Sequence, residues 1–196
     1  FITKPPLVPL LILFYIFSII PRLPNWAFIL GLFFGFLGDV FLMLGREAKW
    51  FMYGLSSFLI GHIFYIITFG LSIFNILAFP WWGFLLIIPE ILMVAVVLVK
   101  IKGKMGNLRI PTLVYVGVIF LMSFFAVLRL ATYQIISFSF LLPWIGSLLF
   151  IISDGIIALD KFDKHIPHDR FLVMITYGLA QYLITQGIII SQILGI

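Results

Sequence analysis

Residues 148–160 read LLFIISDGIIALD, one carboxylate (Asp154) set in a run of side chains suited to hydrocarbon. A stretch this apolar, extended back to residue 136, is long enough to cross a bilayer, which takes about 20 mostly apolar residues. The rest of the chain repeats the pattern. Of 196 residues, 64% are hydrophobic and only 10% charged. Soluble domains carry roughly 25% charged residues. A soluble core of this size has no room for so much apolar surface, so the sequence describes an integral membrane protein.

Seven stretches qualify or nearly qualify as spans: 5–20, 26–45, 50–71, 80–101, 110–131, 136–160 and 170–194. Turn and charge signals separate them: PRLPN at 21–25, GREAK at 45–49, KIKGKMGNLR at 100–109 and DKFDKHIPHDR at 160–170. The break near Asn75 to Pro80 is apolar and poorly marked. Pro89 and Pro143 fall inside expected helices and are expected to kink them, as membranes tolerate. The expected fold is an all-α polytopic transmembrane helix bundle, a single integral membrane domain over residues 1–196. The chain begins at Phe1 with a short first apolar run, so a preceding segment is expected to be missing.

Orientation follows from the basic residues. Lys4, Arg46, Lys49, Lys100, Lys102, Lys104, Arg109, Lys161, Lys164 and Arg170 fall on one side, and only Arg22 and Arg129 on the other. The positive-inside rule puts the first side in the cytoplasm and the C-terminus opposite. The same bias accounts for the net charge of +5 without nucleic acid. Cysteine is absent, which excludes disulfides, a thiolate nucleophile and Cys-ligated metal.

Acids inside spans are expensive and mark function by default; the competing structural reading is a hydrogen bond between helices. Asp39 lies six residues before Gly45, about 9 Å inside the basic end at 1.5 Å per residue. Asp154 lies seven residues before Lys161, about 10 Å from the same end. Two acids distant in sequence therefore reach one depth and are the candidate catalytic pair. Small neighbours, Gly38, Ser153 and Gly155, permit close helix approach there. His62 and Tyr65 share a helix face, as do Tyr177 and Gln181. Each pair reads either as substrate-binding groups or as core hydrogen bonds. Tyr115 lies about one and a half turns into its helix from the basic end. Lys4 opens the first helix, where it could pair with an aspartate, hold a phosphate or simply snorkel. Glu90 is mid-span with no partner in view. HIPH at 165–168 offers two of only three histidines, too few good ligands for zinc, so no metal is expected.

In chain order, TKPPLVP, GDVFLM, FMYGLSSFLIGHIFYIITF, PTLVY, SDGIIALDKF and ITYGLAQYLIT resemble the YhhN/TMEM86 family of multipass membrane proteins. The likeness runs from residue 3 to residue 187. It implies a lysoplasmalogenase, which hydrolyses the vinyl ether of a lysoplasmalogen to a fatty aldehyde and glycerophosphoethanolamine or glycerophosphocholine. It also implies eight helices in full-length members, one preceding the Lys-Pro segment. The family's motif aspartates fall on Asp39 and Asp154, its His-x-x-Tyr on His62 and Tyr65, and its Tyr-x-x-x-Gln on Tyr177 and Gln181. Glu90 has no counterpart.

Vinyl ether hydrolysis needs an acid to protonate carbon and a carboxylate to support the cation or activate water, as in glycoside hydrolysis. Two neighbouring carboxyls titrate as a unit and can share one proton. The more apolar flanks of Asp154 favour it as the acid. The substrate would be a lysophospholipid drawn from surrounding membrane lipid, with no cofactor. The alternative function is lipid binding or proton-coupled lipid transport, although no inverted repeat is visible.

Overall fold

The computed structural model describes residues 6–45, 47–133 and 137–195. Lys4 lies outside the described residues, as does Arg46. Among those described, the chain is helical throughout, with no strand. Helix α1 runs Leu7–Ile19, α2 Trp26–Leu44, α3 Ala48–Leu71, α4 Ile88–Ile101, α5 Arg109–Leu128, α6 Leu130–Tyr133, α7 Phe138–Phe162 and α8 Asp169–Leu194. A seven-residue 3₁₀ segment, Trp81–Ile87, leads into α4 and completes its span. Among the described residues, six helical segments are long and apolar enough to cross a membrane. With 13 described residues, about 20 Å, α1 is shorter than the hydrocarbon thickness of about 30 Å.

Local chemistry explains the boundaries. The Asn25 side chain caps α2 by accepting from the Phe28 N–H at 3.1 Å, and Gly195 closes α8 at φ 73°, where glycine is unstrained. Pro89 differs from expectation. It sits in the first turn of α4, just after the 3₁₀ segment, where its missing N–H costs no helical bond. Pro143 does lie inside α7, as expected.

Lipid is as apolar as leucine, so helices associate through close packing and hydrogen bonds. The tightest pairs are α7 with α8 and α2 with α3. A Cβ added to Gly187 of α8 would overlap the Pro143 ring, and one on Gly61 of α3 would stand 3.1 Å from the Gly31 carbonyl. Helix α5 joins the two pairs by packing on α3 and α7, α1 lies across α2 and α8, and α4 packs on α5 and α7 from outside.

Arg129, placed by the sequence on the side opposite the basic loops, is not a solvated charge. It is fully buried at the end opposite the basic loops. Its guanidinium donates to Ser72 Oγ (3.0 Å), the Ser139 carbonyl (3.2 Å), Tyr133 Oη (2.7 Å) and Ser191 Oγ (2.8 Å). It also lies over the Phe69 ring at 5.5 Å. One cation thus gathers α3, α6, α7 and α8.

Candidate active site

The α2 face toward α3 and α8 carries Gly31, Gly35 and Gly38, which leave room for large polar side chains. A Cβ on Gly31 would meet the Tyr65 ring at 2.7 Å, and one on Gly35 would meet Gln181 Nε2 at 2.9 Å. Into this space runs a chain of hydrogen bonds with one direction. Tyr65 Oη donates to Gln181 Oε1 (2.5 Å), and Gln181 Nε2 donates to Tyr177 Oη (3.1 Å). The Tyr177 hydroxyl in turn bonds the Asp39 carboxyl. All four side chains are buried.

A second chain has the same form. The Tyr115 hydroxyl donates to Asp154 Oδ2. Having donated, it accepts from His62 Nε2 at 3.1 Å, which assigns the Nε2–H tautomer. His62 Nε2 also lies 3.6 Å from Asp154 Oδ2. Each aspartate is thus held by a tyrosine, and each tyrosine by an N–H donor from another helix or turn. Phe150 packs between the two chains, its ring centre 5.1 Å from His62 and 5.4 Å from Tyr177.

The sequence pairs His62 with Tyr65 by their spacing; the fold connects them elsewhere. His62 joins Tyr115 and Asp154, while Tyr65 joins the Asp39 chain. Tyr177 and Gln181 do bond each other as their spacing suggests.

The two acids differ in surroundings. Asp154 and Tyr115 line a cleft near the basic end. Its walls are otherwise nearly all apolar, with Leu55 and Phe58 from α3 opposite Val94 and Val97 from α4. Asp154 keeps 11% side-chain exposure. Asp39 is not among the lining residues and is 3% exposed. Phe58 stands at the boundary: it lines the cleft while its ring packs edge-on against Tyr177 at 5.9 Å.

Two residues at the cleft, Thr112 and Lys161, were not marked by spacing. Thr112, one turn before Tyr115, lines the cleft. Lys161 holds its ammonium 5.1 Å from the ring of Phe51, another lining residue. Its place in a mixed-charge loop gave no signal. Glu90 is fully buried, with the Ser123 hydroxyl and Trp144 indole against its carboxyl but outside good hydrogen-bond geometry. In the loop after α7, ligand atoms of Asp160, His165 and Asp169 come within 4.8 Å of one another. Asp160 Oδ1 is already engaged by His165 Nδ1 (2.7 Å) and the Ile166 N–H (3.0 Å), a clasp that orders the turn.

Comparison with known proteins places the chain in a family. The YhhN family model matches residues 1–188. Lysoplasmalogenase TMEM86A from Bos taurus is 32% identical over 166 residues, covering 83% of this chain and 65% of its own length. The Homo sapiens TMEM86A is 32% identical over 173 residues with the same coverages. Lysoplasmalogenase TMEM86B from Homo sapiens is 44% identical over 48 residues, 24% of this chain and 21% of its own. The chain therefore spans just under two thirds of the TMEM86A relatives. No solved structure matches it.

Proposed function

The chain belongs to the YhhN family, and from that membership we propose that it is a membrane lysoplasmalogenase, hydrolysing the vinyl ether bond of lysoplasmalogens. The observation that carries the reading is Asp154: a tyrosine-held carboxyl in the wall of an otherwise apolar cleft. The similar TMEM86A proteins are lysoplasmalogenases, which supports it.

Asp154, as the acid, gives its proton to the β-carbon of the vinyl ether, and the double-bond electrons form the new C–H bond. The α-carbon and ether oxygen then share the positive charge of an oxocarbenium ion. Ionised Asp154 takes a proton from water as the water oxygen attacks the α-carbon. The resulting hemiacetal collapses, its ether oxygen leaving with a proton as the glycerol hydroxyl, and the fatty aldehyde remains. Tyr115 and His62 orient Asp154. Asp39 sits one layer back, so its role is to supply fixed negative charge through Tyr177 while the cation exists; Tyr65 and Gln181 keep that tyrosine turned toward it. Preorganised groups of this kind act on developing charge without reorganising.

The alkenyl chain meets Leu, Ile, Val and Phe side chains along the cleft. Access is from the side, since the cleft separates α4 from α3. The glycerophosphate faces the basic end, where Lys161 stands beside Phe51, and that end faces the cytoplasm.

The test is aldehyde release from lysoplasmenylethanolamine by the purified protein in D₂O. Proton delivery to carbon puts one deuterium on the carbon next to the aldehyde. The reading fails if folded wild-type protein releases no aldehyde. Proton-coupled lipid movement in liposomes by such a protein supports the transport function instead.

A further inference from the structure

Thr112 is 3% exposed in the cleft wall, and its Oγ1 has no hydrogen-bond partner among the described residues. Other threonines on these helices are satisfied locally. Thr68 donates to the Phe64 carbonyl (2.9 Å) and Thr185 to the Gln181 carbonyl (2.7 Å), four residues back in each case. Thr112 makes no such bond in the first turn of α5. An unsatisfied hydroxyl in an apolar wall is costly and finds a partner when one arrives.

Position says what the partner is. Thr112 and Tyr115 are three residues apart, on one helix face and about 4.5 Å apart along the axis. Thr112 lies on the basic-end side, toward which the headgroup points. In a lysolipid the sn-2 carbon is two bonds from the vinyl ether oxygen. With that ether at Asp154, the free sn-2 hydroxyl lies three bonds away, on the headgroup side that Thr112 occupies. Three lining residues carry hydroxyl or carboxyl groups, Thr112, Tyr115 and Asp154, and the last two are bonded to each other. Rotation about χ1 exchanges the Thr112 methyl and hydroxyl, and helical threonine populates both rotamers. The hydroxyl can therefore turn into the cleft at little cost.

We propose that Thr112 is a substrate-binding residue whose hydroxyl holds the free sn-2 hydroxyl of the lysolipid. The assignment rests on the hydrolase reading above and adds to it a residue that selects the glycerol. The experiment measures kcat/KM for lysoplasmenylethanolamine and for its 2-deoxy analogue, and compares their ratio in wild type, Thr112→Val and Thr112→Ser. The ratio does not depend on how much of a variant is folded. Wild type is expected to favour the hydroxylated lipid about tenfold, the worth of one satisfied buried hydrogen bond. Thr112→Val brings the ratio close to one, and Thr112→Ser restores most of it. A Thr112→Val ratio equal to that of wild type overturns the assignment while leaving the hydrolase standing. No aldehyde from wild type on either lipid overturns the hydrolase reading itself, and this assignment with it.

Discussion

At Asp154 three residues from three helices meet, and each does something the others cannot. In the proposed reaction the carboxyl carries a proton to carbon, while the Tyr115 hydroxyl donates to Oδ2 and the His62 N–H donates to that hydroxyl. Replacement by Asn keeps the shape and removes the transferable proton. Asp154→Asn is therefore expected to lose at least ~10²-fold in kcat, the usual worth of a positioned acid, without loss of thermal stability. Aldehyde assays beside an unfolding curve read both. Tyr115→Phe leaves the acid present but loosely aimed, and an intermediate loss of about tenfold is expected. Asp39→Asn tests the charge behind Phe58. It is expected to lower kcat and leave KM within about twofold, since that carboxyl is not in the cleft wall.

At the scale of the helix, stability depends on how closely backbones approach. Gly187 and Pro143 let α7 and α8 touch, since a Cβ at 187 would overlap the proline ring. Gly187→Ala is expected to destabilise by about 1–3 kcal/mol, as overpacking does, read as a fall in the thermal midpoint in detergent. The basic-end loops are tied by Lys104 Nζ to Asp163 Oδ1 at 2.6 Å. That hydrogen bond holds the Asp163 carboxyl below its ordinary value of 3.8. A depressed carboxyl stabilises above its unfolded value and loses the contribution as pH falls through its folded one. The stability gap between wild type and Asp163→Asn is thus expected at pH 6 and should close in titrations carried below 3.8. A gap that widens on acidification contradicts the assignment.

Across the whole molecule the polar groups divide between the two ends. The acids and the cleft lie toward the basic loops; the buried Arg129 clamp closes the other end. Arg129→Gln removes the charged fork that joins Ser72, Ser139, Tyr133 and Ser191. It is expected to cost about 2–4 kcal/mol while KM stays near wild type, because no Arg129 contact reaches the cleft. Sidedness is open to direct measurement because the chain has no cysteine. A thiol introduced at Lys102 should react with an impermeant reagent from the cytoplasmic side, and one at Leu77 from the opposite side.

Hydropathy by itself determined the class of protein, since an apolar run of bilayer length is readable along one dimension. It also located both aspartates at one depth, because depth along a helix is a count of residues. Which groups touch was another matter. His62 and Tyr115 are 53 residues apart, and no spacing rule joins them; the packing of α3 on α5 does. Pro89 could not be told from a kink, because a 3₁₀ turn and an α-helix present the same apolar run. Nothing in PTLVY marks Thr112; the tertiary structure leaves its hydroxyl unbonded in the cleft wall. Periodicity assigns a side chain to a face. Only the arrangement of the other helices decides whether that face meets lipid, a partner or a reacting bond.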